Sequence, residues 1–240
     1  MKEERQWVSP YNYCQNNSVT RIDPDGKVDI DYGLKSNGEI IQIGPINNEP
    51  DRLFAINNDG SKKSENFLQL ENGSISNVLK GSYVYWDEIK KEKVSIPFYA
   101  VIVKGDSNAE KLFEFLTENS DVEFGRFAIG SPNIKKGWNV LSTSKNTKSE
   151  VGSAAIAKIL IKNALPLRGH DHSHPGNDCI DYPSGMEFGR GGKAGDIQFA
   201  ETIELYFPEV ILRIYTPANK KYHYYNSFGP TIAPITVKPQ

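Results

Sequence analysis

Cysteine is almost missing from this chain: Cys14 and Cys179 are the only two among 240 residues. Two thiols so far apart build no disulfide framework, so the fold must rest on its apolar core. An excess of charge is missing as well. Twenty-eight basic residues stand against 30 acidic ones, a formal net charge of −2, which removes the electrostatic case for a nucleic-acid partner. No apolar run approaches the roughly 18 residues that cross a bilayer, so no membrane span is expected. The opening stretch MKEERQWVSPYNYC holds no apolar h-region, and no conventional signal peptide is expected there. What remains is ordinary: 38% hydrophobic and 24% charged residues, enough for one domain of common size plus a smaller attached region.

Along the chain, Tyr11 to Gly26 is dense in turn formers, and Asp23-Pro24-Asp25-Gly26 is a strong turn signal. From Val28 to about Leu70, short apolar pieces alternate with turns. Ser36-Asn37-Gly38 and Asn58-Asp59-Gly60 fit hairpin loops, and the region reads as a small β-meander outside the α/β core. Glu71 to Lys93 reads as a linker with some strand. The periodicity then changes. Ser95 to Gly105 reads as a strand. Ser107-x-x-Glu110 has the form of a capping box ahead of a helix with Ala109, Leu112, Phe113 and Leu116 on one face, ended by Asn119 and Ser120. Glu123 to Gly130 reads as a strand, Glu150 to Asn163 as a second helix, and Leu165 to His174 as extended. A Gly-rich loop runs from Pro175 to Gly195. A third helix fits Asp196 to Phe207, and Val210–Thr216 and Lys221–Ser227 close the layer as strands.

The densest chemical signal is Gly169-His-Asp-His-Ser-His-Pro175. Three of the four histidines, His170, His172 and His174, sit here. Residues two apart on a strand share a face, so His172 and His174 can aim both imidazoles at one point. His170 shares that face, and spacing alone does not say which two act. A catalytic zinc takes three protein ligands and keeps one position open. Asp196 is the preferred third ligand because it opens a helix, whose N-terminus favours a carboxylate and fixes its direction. Glu187 is its rival. Asp178 and Asp181 lie in loop, and Cys179 is a weak candidate for a metal contact. Glu123 is placed as general base, and Ser184 as hydrogen-bond donor to an oxyanion. Each residue also has a plain reading: a structural HxH pair, a helix cap, a strand-edge charge and a turn serine.

Taken in order, the residues resemble the JAB/MPN metalloenzymes, the JAMM proteases. That family's pattern is a Glu at the start of a strand after the first helix, then H-x-H-P, a Ser and an Asp. Glu123, His172-Ser173-His174-Pro175, Ser184 and Asp196 match it. The resemblance covers roughly Val94 to Ser227. It implies that the two His and the Asp bind zinc, that the Glu is the acid/base, and that the Ser steadies the oxyanion. One departure stands out. The family has Ser-x-x-Asp, whereas here the tight spacing falls on Ser184-x-x-Glu187 and Asp196 lies twelve positions after Ser184. The stretch YNYCQNNSVTRIDPDG resembles the end of an Rhs repeat-associated core, which precedes variable C-terminal toxins. Together the two resemblances imply a toxin effector of the polymorphic type, delivered into a target cell as part of a larger Rhs protein and paired with an immunity protein.

The expectations are therefore an α/β fold, a JAB/MPN-like mixed sheet flanked by helices, preceded by a small β-rich N-terminal region. Residues 1–26 would be an Rhs core-like segment, 27–93 a β-hairpin-rich linker region, and 94–240 the JAB-like metallohydrolase domain. The function expected is zinc-dependent hydrolysis of an amide bond in a protein or peptide substrate. The alternative is an inactive MPN-like protein-binding module.

Overall fold

A computed structural model of the chain describes residues 31–44, 50–72, 75, 78–133, 136–175, 182–186 and 195–232. Two sheets carry the fold. The strands β1 (Asp31–Leu34), β2 (Ile40–Gln42), β3 (Asp51–Ile56) and β4 (Lys62–Leu70) form a four-stranded sheet in the order β2-β1-β3-β4. Both expected hairpins are present, with Gly38 and Gly60 at positive φ in their turns. The connection between them differs from a meander. β1 pairs with β3 in parallel, where a meander would set β2 beside β3. All four residues of β1 are buried, and such a strand needs a neighbour on each side.

The larger sheet holds β5 (Val78–Asp87), β6 (Glu92–Lys104), β7 (Gly125–Ile129), β8 (Trp138–Thr143), β9 (Leu167–Ser173), β10 (Ile211–Thr216), β11 (Lys221–Asn226) and β12 (Gly229–Thr231). Its order is β12-β11-β10-β9-β7-β8-β6-β5. β9 and β10 are parallel and the other pairs antiparallel, so the sheet is mixed, as expected. Three helices complete the described residues: α1 (Asp106–Glu118), α2 (Val151–Lys162) and α3 (Gly195–Tyr206).

Alternation along the strands sends side chains to two cores. On one face, Leu112, Phe113 and Leu116 of α1 pack with Val101 and Leu141, and with Leu34 and Leu53 of the smaller sheet. The hairpins thus share the α/β core rather than standing outside it. On the other face, Ile156 and Leu160 of α2 and Ala200 and Ile203 of α3 pack on Phe127, Leu212 and Tyr225.

The expected capping box does not form. Helix α1 starts at Asp106, its cap is Gly105 at φ 84°, and no side chain caps it. The Asp106 carboxylate is drawn away, accepting from Asn133 N at 2.8 Å and Asn139 Nδ2 at 2.9 Å and pairing with Arg168. At the far end, the Asn119 and Ser120 side chains donate to the carbonyls of Phe115 and Leu116, which closes the helix where the sequence indicated. The strand β8 was not read from the sequence, and the linker stretch contains the ten residues of β5.

Candidate metal centre

β9 is a central strand with two kinds of residue on its two faces. Asp171 points to one side and is buried. It sits in register between Arg126 of β7 and Arg213 of β10. Arg126 Nε donates to it at 2.6 Å, and Arg213 Nε and Nη2 at 2.7 and 3.0 Å. Burial opposes its charge, but the two guanidiniums overcome that and hold its carboxyl at about 2. This charged rung locks the register of β9. A slip by one residue would turn every histidine to the wrong face.

Ser173, on the same side as Asp171, ties β9 to the stretch that carries Glu123. Its Oγ accepts from Phe124 N at 3.0 Å, and its own N–H donates to Phe124 O at 3.0 Å. Glu123 N donates to Asn146 O at 2.8 Å, and Thr143 Oγ1 donates to Glu123 O at 2.8 Å. Glu123, two residues ahead of β7, thus has its backbone held by Asn146 and Thr143, and its neighbour Phe124 is held by Ser173.

On the opposite side lie the histidines. His172 Nε2 and His174 Nε2 are 3.1 Å apart. Asp196, in the first turn of α3, meets them with one oxygen each: Oδ1 at 3.2 Å from His172 Nε2 and Oδ2 at 3.4 Å from His174 Nε2. These three residues are the group, among the described residues, whose donor atoms converge closely enough to hold a metal ion. Tetrahedral zinc with Zn–N of about 2.0–2.1 Å sets its ligand atoms about 3.3 Å apart. The observed spacings fit that edge, and two imidazoles with a carboxylate are a common zinc donor set. Burial works against the charge of Asp196, but the imidazoles prevail and hold its carboxyl well below the usual carboxylate range.

Ser184 holds Asp196 from behind. Its N–H and Oγ donate to Asp196 Oδ2 at 2.7 and 2.9 Å, while Asp196 N donates to Ser184 Oγ at 3.1 Å. Ile197 N donates to Ser184 O at 3.2 Å. The helix start and the serine turn thus cap each other. Of the carboxylates open from the sequence, Asp196 lies at the histidine pair. Glu187, Asp178, Asp181 and Cys179 lie outside the described residues, as do Cys14 and the Rhs-like segment 1–26.

His170 turns elsewhere. Its Nε2 is 3.1 Å from Ser153 Oγ, and its ring packs against Phe127 and Phe199. Burial, with the neighbouring His172, pushes this imidazole down to about 3, so it is neutral.

Glu123 shares a cleft of about 710 Å³ with His172, His174, Ser184 and Asp196. Burial pushes its carboxyl up to about 8; His174 pulls against that, and Asp196 and Glu150 add to it. Glu150 is a group the sequence reading passed over. It caps α2, accepting from Gly152 N at 3.0 Å, from Ser153 N, and from Ser142 Oγ at 3.1 Å. Burial raises its carboxyl too. An acidic residue just before a helix was its only signal. Gly125 lets these groups meet, since a Cβ there would run into Ser153 Oγ.

The stretch from residue 101 to 201 matches the family model described as JAB-like toxin 1. That stretch is under half of the chain. It takes in Glu123, His172, His174, Ser184 and Asp196, and it supports a JAB-like toxin domain, in keeping with the mixed sheet and three helices. Curated proteins yield no match to the chain.

Proposed function

We propose that the chain is a zinc-dependent peptidase or isopeptidase that hydrolyses an amide bond, and that it serves as a toxin effector. The convergence of His172, His174 and Asp196 at tetrahedral spacing, in one cleft with Glu123, carries the reading. Bound to those three residues, zinc supplies Lewis acidity that polarises the scissile carbonyl and activates water. The chain's own groups do the rest. Glu123 takes a proton from the attacking water and returns it to the leaving amine. Its raised pKa favours return of the proton to the amine, and a cation held by the neighbouring His172, His174 and Asp196 would favour the ionised form that takes it. Ser184 Oγ has a single proton and gives it to Asp196. Its favoured role is therefore to orient the carboxylate, and donation to an oxyanion would require that bond to break.

The toxin-family match supports delivery into a target cell and an immunity protein as partner. The Rhs-like segment 1–26 supports attachment to a larger Rhs protein, with the metallohydrolase unit at 94–240. The test is to compare the protein termini that arise in target cells expressing the wild type or His174→Ala. New termini should appear with the wild type alone. Identical sets of termini would remove the peptidase reading and leave a protein-binding module.

A further inference from the structure

Among the described residues, three of the four sheet edges are blunted in ways that discourage pairing. β12 is three residues long and contains Pro230, and β2 is also three residues. β4 carries Lys62, Lys63 and Glu65 in its first four residues. β5 has no such device. It runs for ten residues with Lys80 as its one interior charge and no proline, and it pairs with β6 in ten successive rungs without a bulge. Among the described residues nothing pairs with its outer edge. It also holds large apolar side chains in solvent: Leu79 is 52% exposed and Trp86 51%, with Val78, Val84 and Tyr85 beside them.

We propose that β5 pairs antiparallel with β5 of a second copy of this chain, with Ser82 on the two-fold axis. A dyad that joins two sheets edge to edge stands perpendicular to them and keeps each residue on its own face. Facing residues must then share the same strand alternation. About Ser82, Val78 faces Trp86 and Leu79 faces Tyr85, so four of the strand's five exposed apolar residues cover one another. Gly81 faces Tyr83, and the Phe98 ring of the neighbouring strand β6 lies over the glycine. Lys80 faces Val84, and no like charges oppose. A dyad moved to Tyr83 sets Leu79 against Asp87. A dyad moved to Gly81 carries Tyr85 and Trp86 past the start of the strand. The dimer joins both large sheets into one continuous surface, with both metal clefts on the same face. It does not depend on the hydrolase reading.

Sedimentation equilibrium of the intact chain, from micromolar to millimolar concentration, tests this. The wild type should dimerise. Leu79→Glu and Tyr85→Lys should each weaken the dimer about tenfold, and the double variant, which sets the two new charges against each other, should regain most of that loss. Trp86→Lys, at a second rung, should weaken it too and serves if a variant at position 79 or 85 misfolds. A wild type that stays monomeric overturns the proposal, as does a dimer indifferent to these changes or a double variant no better than either single one. A monomer that instead adds an extended segment of another protein to β5 overturns it as well.

Discussion

Replacing Glu123 with glutamine should separate what this residue does for chemistry from what it does to stability. Its carboxyl ionises at about 8 in the fold, against an ordinary 4.5. Burial is the main cause, and the neighbouring Asp196 and Glu150 add to it. Ionising it in place costs at most about 5 kcal/mol. Water in the open cleft reduces that to about 1–3 kcal/mol. Because the folded-state value is raised, the folded protein keeps a proton that the unfolded chain has released. Below the ordinary value both states are protonated and Glu123 makes no pH-dependent difference. Between 4.5 and about 8 stability falls as pH rises. Above that range both states are ionised and the loss is complete. Glutamine has no charge to lose, so Glu123→Gln should match the wild type in acid and exceed it by about 1–3 kcal/mol in mild alkali. Urea unfolding of the metal-stripped proteins across this pH range measures the gap. The same variant should keep zinc and lose hydrolysis by about a hundredfold or more. A stability gap that does not change with pH would refute the environment given to Glu123, and a fully active variant would refute its role.

Two further substitutions probe how the centre is held. Ser184→Ala removes a hydroxyl that donates to Asp196, and should weaken zinc binding about 10- to 100-fold, read by competition with a zinc indicator. If zinc affinity holds and only kcat falls, Ser184 acts on the oxyanion instead. Asp171→Asn leaves Arg126 and Arg213 without their shared carboxylate and should destabilise the fold by about 3–5 kcal/mol, read by urea unfolding near neutral pH.

Much of the centre was legible because short-range rules wrote it. A period of two aimed His172 and His174 together, and the start of α3 fixed Asp196. Hairpin turns at Gly38 and Gly60 were equally local. Long-range pairing was not legible. Nothing in the spacing shows that Arg126 and Arg213 meet Asp171, because strand order decides it. The parallel pairing of β1 with β3 depends on burial on both sides of a four-residue strand. β8 carries no clean alternation, since its last three residues are all buried. Ser107 and Glu110 have the form of a cap, yet positive φ at Gly105 and the competing partners of Asp106 set the helix start instead. The link from Ser184 to Asp196 joins residues twelve positions apart, a separation that no fixed-spacing pattern holds.

In the proposed function, His172, His174 and Asp196 form one zinc site. Calorimetric zinc titration of the metal-stripped protein, checked by elemental analysis, tests it most directly. The wild type and Glu123→Gln should each bind one zinc per chain, and His174→Ala or Asp196→Ala should hold none tightly. A wild type that takes up no stoichiometric zinc, or variants that bind it as tightly as the wild type, would contradict the claim.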